Sequence, residues 1–90
     1  MGPEPVRDFV GKVLAFNPGT MAARLVLEET LHVGDKLEIV LPRWNEAFSL
    51  ETMSVAQMSL SMALKGWTVA ILVPRPVPVG TVVYRLDEPA

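Results

Sequence analysis

The chain has 90 residues, 50% of them hydrophobic, and a formal net charge of -2 at pH 7. A chain of this length forms one domain, and the near balance of charge, with no run of one sign, argues against a surface that tracks nucleic-acid phosphates. The absence of cysteine excludes disulfides and thiolate metal sites. Neither a signal peptide nor an apolar run of membrane-spanning length is visible. We therefore expect a cytoplasmic protein that does not associate with a membrane.

Short β-branched and aromatic segments, separated by Gly and Pro turns, predict strands throughout the chain. Two prolines in residues 1–5 predict a disordered arm, followed by a single β-barrel domain over residues 6–87 and a tail over residues 88–90. The first strand is expected over residues 8–16. Gly11 within it predicts a β-bulge or a close approach of another backbone segment.

Residues 17–20 predict the next turn. Pro18 fixes the first central φ of a type II turn, and Gly19 accepts the positive φ required at the following position. Because the twist of a type II turn does not suit a tight hairpin, a wider loop is expected. The returning strand, residues 21–27, places Ala23, Leu25 and Leu27 on one face and Arg24 on the other.

A glycine turn precedes the third clear strand. Gly34 can supply positive φ, and the Asp35 carboxylate can accept a hydrogen bond from a nearby backbone N–H, so the pair predicts an architectural corner. His32 beside it is interpreted as a surface residue. Residues 36–41 alternate as a half-buried strand, with Glu38 expected to face solvent.

The middle of the chain is less regular. Residues 42–46 predict a loop in which Trp44 could be an exposed contact or a lid over the barrel end, and the usual burial of indole favours the lid. Residues 47–55 predict a strand. In residues 54–65 apolar residues recur at both helical and strand spacing, so both structures stay open. For Met53, Met58 and Met62, both core filling and docking stay open. Gly66 then predicts a turn.

The last part predicts two more strands, residues 67–73 and 81–86, with a turn at Gly80. Three alternating prolines within residues 74–78 place all their missing N–H donors on one edge. This pattern favours an edge-blunting crossover over a polyproline ligand. The fold class predicted from these elements is all-β, a small antiparallel β-barrel of six or seven strands.

Five motifs in order carry a family resemblance. They are residues 10–27 as a first hairpin, residues 31–39 (L-x-V-G-D-x-ϕ-x-ϕ), residues 50–54, residues 63–71 (A-x-x-G-x-x-V-x-ϕ) and residues 76–84 (P-V-x-x-G). Together they resemble the β-barrel second domain of translational GTPases such as elongation factor Tu. They are also similar to the C-terminal barrel of collagenase-like peptidases. Thr81 stands where the translation-factor pattern has an aspartate.

The resemblance implies a translation-protein domain 2-like fold that lends surface to RNA, the ribosome or a neighbouring domain. It does not imply GTP hydrolysis, because the chain has no P-loop. No G-x-S-x-G elbow surrounds a serine, and one histidine without cysteine or clustered acids does not make a metal site. We therefore expect a non-enzyme with no cofactor, metal or small-molecule substrate.

Two functions fit these observations. The first is an accessory barrel that binds a protein partner or a second copy of itself. Its candidate contact residues are Trp44, Met53, Met58, Met62 and Trp67. The alternative is a translation-related barrel that binds RNA or the ribosome. Its candidate contacts are Lys12, Arg24, Arg43, Lys65, Arg75 and Arg85.

Overall fold

Ten β-strands make up the secondary structure of residues 6–87, the part of the chain that the computed structural model describes. The strands are β1 (Val6–Asn17), β2 (Ala22–Val26), β3 (Leu31–His32), β4 (Lys36–Val40), β5 (Asn45–Ser49), β6 (Met53–Val55), β7 (Met58–Ser59), β8 (Met62–Ala63), β9 (Thr68–Leu72) and β10 (Val82–Asp87). These residues contain no helix, and so none long and apolar enough to cross a membrane. The expected arm, residues 1–5, and tail, residues 88–90, lie outside the described residues.

Eight strands form one antiparallel sheet that curls into a half-barrel, in the order β5-β4-β10-β1-β2-β9-β6-β7. β3 and β8 form a second, two-stranded sheet. Six strands (β1, β2, β4, β5, β9 and β10) have five residues or more, while the other four have two or three. The predicted class, a small antiparallel all-β barrel, is confirmed, and its predicted strands correspond mainly to the longer ones.

Strand alternation builds the core. On β2, Ala23 and Leu25 are buried, whereas Arg24 and Val26 face solvent, as the sequence predicts. The largest buried side chains come from five of the ten strands and from segments between strands: Leu25, Leu27, Leu31, Leu37, Ile39, Leu50, Met53 and Ile71. They form one cluster, so the half-barrel and the small β3–β8 sheet share a single core.

Gly11 sits where β1 changes register. The pairing of β1 with β10 shifts between Phe9 and Gly11, which marks a β-bulge. A Cβ atom at Gly11 would lie 2.6 Å from the carbonyl oxygen of Val26 on β2. Both features predicted for this glycine, a bulge and a close backbone approach, are therefore present.

The loop between β1 and β2 differs from the predicted type II turn. Positive φ falls on Met21, at 60°, and Gly19 lies outside the left-handed region. The Met21 amide donates to the Asn17 carbonyl at 2.8 Å, and the Gly19 amide donates to Asn17 Oδ1 at 2.8 Å. The asparagine side chain thus organises the turn around Pro18 and Gly19. The closing hydrogen bond spans five residues, which gives the wider loop that was expected.

The corner at Gly34 and Asp35 agrees with its prediction. Gly34 has φ of 100°, and Asp35 Oδ2 accepts a hydrogen bond from the His32 amide at 2.9 Å. The Asp35 amide donates back to the His32 carbonyl at 3.0 Å. The carboxylate therefore holds the corner from one side while the glycine permits the backbone turn.

Replacing Gly34 with valine is expected to lower the free energy of unfolding by about 2 kcal/mol, because a β-branched residue is strained at this φ. No heavy atom lies within 4 Å of the added Cβ, so the cost comes from the backbone alone. His32→Ala keeps the amide that bonds Asp35 and should stay within about 0.5 kcal/mol of wild type. Urea unfolding of both variants measures this, and equal midpoints would contradict it.

The long strand predicted over residues 47–55 is wrong, since β5 ends at Ser49 and β6 begins at Met53. Leu50 between them pairs with the corner instead. Its amide donates to the Asp35 carbonyl at 2.9 Å, and its carbonyl accepts from the Gly34 amide at 2.8 Å. The interruption is thus caused by a partner about fifteen residues earlier in the chain, which no local pattern can reveal.

Residues 54–65, left open between helix and strand, belong to the short strands β6, β7 and β8 and the turns between them. β6 and β7 form a two-residue hairpin in which Val55 pairs with Met58. Its turn residues, Ala56 and Gln57, have φ of 50° and 68°. This turn requires positive φ at both positions, normally supplied by Asn-Gly. The sequence Ala-Gln gave no signal for it.

The proline-rich segment connects β9 to β10, which are separated in the sheet by β1 and β2. Val77 is buried in the core, and the Gly80 amide donates to the Val13 carbonyl at 2.7 Å. The segment is therefore a crossover packed on the barrel, as predicted. Gly66 and Gly80 both have φ of 93°, consistent with their predicted turns.

Candidate interaction surfaces

Four of the five residues proposed to contact a partner are exposed, but Met53 is not. Its exposed fraction is 1%, and it pairs across β6 and β9 with the buried Ile71. The placement of Met53 on a docking surface is therefore wrong. The other four have exposed fractions between 43% and 68%: Trp44, Met58, Met62 and Trp67.

Trp44 does not close the barrel end. Its side chain is 51% exposed, and the Arg75 guanidinium lies over its ring at 5.4 Å from the centroid. Arg75 Nε also lies 2.7 Å from Glu46 Oε1. The lid that was expected is thus replaced by an exposed indole held against an ion-paired arginine.

The two tryptophans lie at opposite ends of β9. Trp67 immediately precedes this strand, whereas Trp44 contacts Arg75, which follows it. An extended strand separates its ends by about 3.3 Å per residue. The structure therefore does not bring the two tryptophans into one contact surface.

Four exposed apolar side chains lie on or close to the β3–β8 sheet in the chain, and we call this set the apolar patch. It consists of Val33, Met62, Leu64 and Trp67. The Val33 amide donates to the Ser61 carbonyl at 2.9 Å, and the Trp67 amide donates to the Leu64 carbonyl at 3.1 Å. These bonds hold the four residues on neighbouring backbone segments. Val33 and Leu64 were not singled out from the sequence, because alternation alone did not show that they are exposed.

Two of the six candidate RNA-contacting cations are held by acidic side chains. Arg85 Nη2 lies 2.7 Å from Asp8 Oδ2, and Arg85 Nη1 donates to the Thr30 carbonyl at 2.7 Å. Arg75 is paired with Glu46. The remaining four are exposed on separate elements: Lys12 on β1, Arg24 on β2, Arg43 between β4 and β5, and Lys65 between β8 and β9. An RNA would have to reach four different segments to contact them.

Glu38 does not face solvent as expected, since its exposed fraction is 8%. Its Oε1 lies 3.3 Å from Arg7 Nη2 and accepts from Asn45 Nδ2 at 3.5 Å. The Arg7 guanidinium also lies over the ring of Tyr84, the cross-strand neighbour of Glu38, at 5.9 Å from the centroid. Side chains from three other strands thus cover Glu38. The sequence analysis did not predict this polar cluster.

A row of small side chains crosses the outer face of four adjacent strands, with one arginine in it. Arg24 on β2 pairs with Ala15 on β1 and with Ala70 on β9, and Ala70 pairs with Ser54 on β6. Adjacent strands lie about 4.8 Å apart, so the row is about 14 Å long. The Arg24 side chain therefore rises from a floor of alanine and serine.

Three cavities open along this row, and all three include Ala70 in their walls. Their volumes are about 630, 220 and 150 Å³. The two largest meet at Arg24, and the largest is also bounded by Thr68 and by the Ala56–Gln57 turn. We call these joined cavities the outer-face depression. Sequence reasoning placed Arg24 outward but missed the small neighbours that make room around it.

The described residues contain no group of three or more His, Cys, Asp or Glu side chains that could hold a metal ion. His32 is exposed opposite Met62 on the β3–β8 sheet, and the Asp35 carboxylate accepts from its backbone amide. Its position is that of a surface residue beside a turn.

The fold places the chain among small, open, all-β barrel modules. No protein-family model and no curated protein sequence matches it. Among solved structures, it is similar to the C-terminal domain of a Geobacillus thermoleovorans protein described as a U32 peptidase. The TM-score is 0.79 at 24% identity, over 90% of this chain and 93% of that domain. The selenomethionine variant of the same domain gives a TM-score of 0.77 at 24% identity, over 84% and 96%.

At this identity the similarity concerns the fold. It agrees with the expected similarity to the C-terminal barrels of collagenase-like peptidases.

Proposed function

We propose that this chain is a non-catalytic protein-interaction module that docks on a partner through the apolar patch. The observation that carries the proposal is the grouping of four large apolar side chains, each 41% to 45% exposed, on adjoining backbone segments. Single exposed apolar residues are ordinary on protein surfaces, whereas a cluster of them favours an interface. The tryptophan and the methionine are residue types enriched at such interfaces.

The partner is a protein surface of matching apolar character, either a second copy of this chain or another protein. Trp67 supplies the largest rigid contact area in the patch, and Met62 supplies an adaptable one. We place Trp44 outside this interface, because it lies apart from the patch and its ring is in contact with Arg75, which is paired with Glu46.

Photo-crosslinking in the producing cell tests the proposal. The photoreactive residue p-benzoylphenylalanine replaces Trp67. We expect a discrete crosslinked product whose mass is either twice the 9.9 kDa of the chain, for a second copy, or the sum of the chain and another protein. The control places the photoreactive residue at Met58, which is 68% exposed and outside the patch. Because Met58 is the more exposed position, random collisions would label it at least as strongly. Equal labelling at both positions, or none at 67, would reject the apolar patch as the interface.

The relation to domain 2 of translation factors, and with it RNA or ribosome binding in the cytoplasm, is the alternative proposal. Four exposed cations, Lys12, Arg24, Arg43 and Lys65, support it, and the acid pairing of Arg75 and Arg85 weakens it. Titration against tRNA at two salt concentrations distinguishes it, because phosphate contacts weaken steeply as salt rises. Because Arg75 is paired with Glu46, its replacement by glutamine should not change binding to RNA. Salt-sensitive binding that is the same in wild type and in Arg75→Gln would favour this alternative.

A further inference from the structure

The outer-face depression has the size and composition of a binding site that lies apart from the apolar patch. The volume of its largest cavity, about 630 Å³, falls within the range of ligand pockets. None of the patch residues lines it. The floor is made of small side chains whose strands are paired on both sides, so an occupant would contact side chains and not add a strand to the sheet.

Charge defines what this depression can bind. Arg24 is the only charged side chain among the residues lining its three cavities, and no ion pair joins it to an acid within the described residues. The other polar groups in the walls are hydroxyls and amides, including Ser54, Thr68 and Gln57. Such a site offers one guanidinium for a single anion and neutral hydrogen-bonding groups around it.

The wall of the largest cavity also holds two of the three non-glycine residues at positive φ in the described part of the chain. Ala56 and Gln57 are consecutive non-glycine residues at positive φ, 50° and 68°. Each such residue costs about 1–2 kcal/mol relative to an ordinary conformation. Both conformations belong to the two-residue turn between β6 and β7. This turn forms one rim of the cavity. It lies across β9 from Arg24, because β9 separates β2 from β6 in the sheet.

We propose that the outer-face depression binds an extended segment of a partner protein that carries one carboxylate, which pairs with the Arg24 guanidinium. The row across the four strands is about 14 Å long, enough for about four extended residues. A single cation suits one Asp or Glu side chain, because guanidinium and carboxylate form two parallel hydrogen bonds. A nucleic acid would require several cations along its backbone, and the depression has one.

The proposal is tested by nuclear magnetic resonance titration of the ¹⁵N-labelled chain. The probe is a pool of end-blocked pentapeptides with Glu at the centre and Ala, Val, Ser or Thr at the other positions; a matched pool has Gln at the centre. We expect saturable shifts at the amides of Arg24, Ser54, Thr68 and Ala70. Binding of the Gln pool should be at least about tenfold weaker, as for the loss of a hydrogen bond to a charged group.

Two variants separate the depression from general surface charge. Arg24→Gln should weaken binding of the Glu pool at least about tenfold, while Arg43→Gln, which removes the same charge from the exposed β4–β5 loop, should leave it unchanged. Unfolding midpoints close to wild type show that both variants fold. Inorganic phosphate is titrated in parallel. The proposal is overturned by any of three results: no saturable shifts with the Glu pool, equal binding by Arg24→Gln, or phosphate binding at these amides tighter than the Glu pool.

Discussion

Gly11→Ala is expected to lower the free energy of unfolding by about 3 kcal/mol, a large share of the stability of a small domain. The added Cβ would lie 2.6 Å from the Val26 carbonyl oxygen and 3.2 Å from Leu25 Cδ1. Leu25 is a side chain that can move, but the carbonyl belongs to the backbone of β2. Relief of the contact therefore requires β1 and β2 to move apart at the bulge. Urea unfolding followed by tryptophan fluorescence measures the loss.

Gly80→Ala is the matched control for this variant. Gly80 has φ of 93°, and no heavy atom lies within 4 Å of a Cβ placed there. Its replacement should cost only the backbone preference, about 1 kcal/mol. If both alanine variants lose the same stability, the close approach of β2 is not what requires glycine at position 11.

Gly11 also illustrates what the sequence could predict. A glycine within a run of β-branched and aromatic residues indicated an irregular strand, and the structure has a bulge there. The corner at Gly34 and Asp35 was predicted for a similar local reason, and its hydrogen bond joins residues that are three positions apart. The all-β class followed from many such signals. Local chemistry sufficed at the Gly34–Asp35 corner, where the stabilising hydrogen bond is itself local.

Prediction failed where a distant segment decides the structure. Leu50 interrupts a predicted strand because it pairs with Gly34 and Asp35. Glu38 is buried because Arg7 and Asn45 reach it from other strands. In both cases the sequence pattern was compatible with what was predicted, a continuous strand through Leu50 and an exposed Glu38. Only the order of the strands in the sheet shows which segments reach these two residues.

The candidate surfaces were predictable only in part, for the same reason. Alternation placed Arg24 on the outside of β2, but the free space around it depends on Ala15, Ala70 and Ser54, which come from three other strands. The sequence groups Met53, Met58 and Met62 as candidate contacts, because the turn at Ala56 and Gln57 carries no Gly or Asn signal. That turn separates Met53, which is buried opposite Ile71, from Met58, which is 68% exposed on the edge strand β7.

Met53→Ala is accordingly expected to cost about 3 kcal/mol, because it removes buried atoms and leaves a cavity that the rigid strands fill only partly. Met53 is 1% exposed and faces Ile71 within the core. Met58→Ala, five residues later at a 68% exposed position, should stay within about 0.5 kcal/mol of wild type. Urea unfolding of the two variants under identical conditions compares them directly. If both methionines instead belonged to one exposed docking surface, the two losses would be small and similar. That outcome would contradict the placement of Met53 in the core and Met58 on the surface.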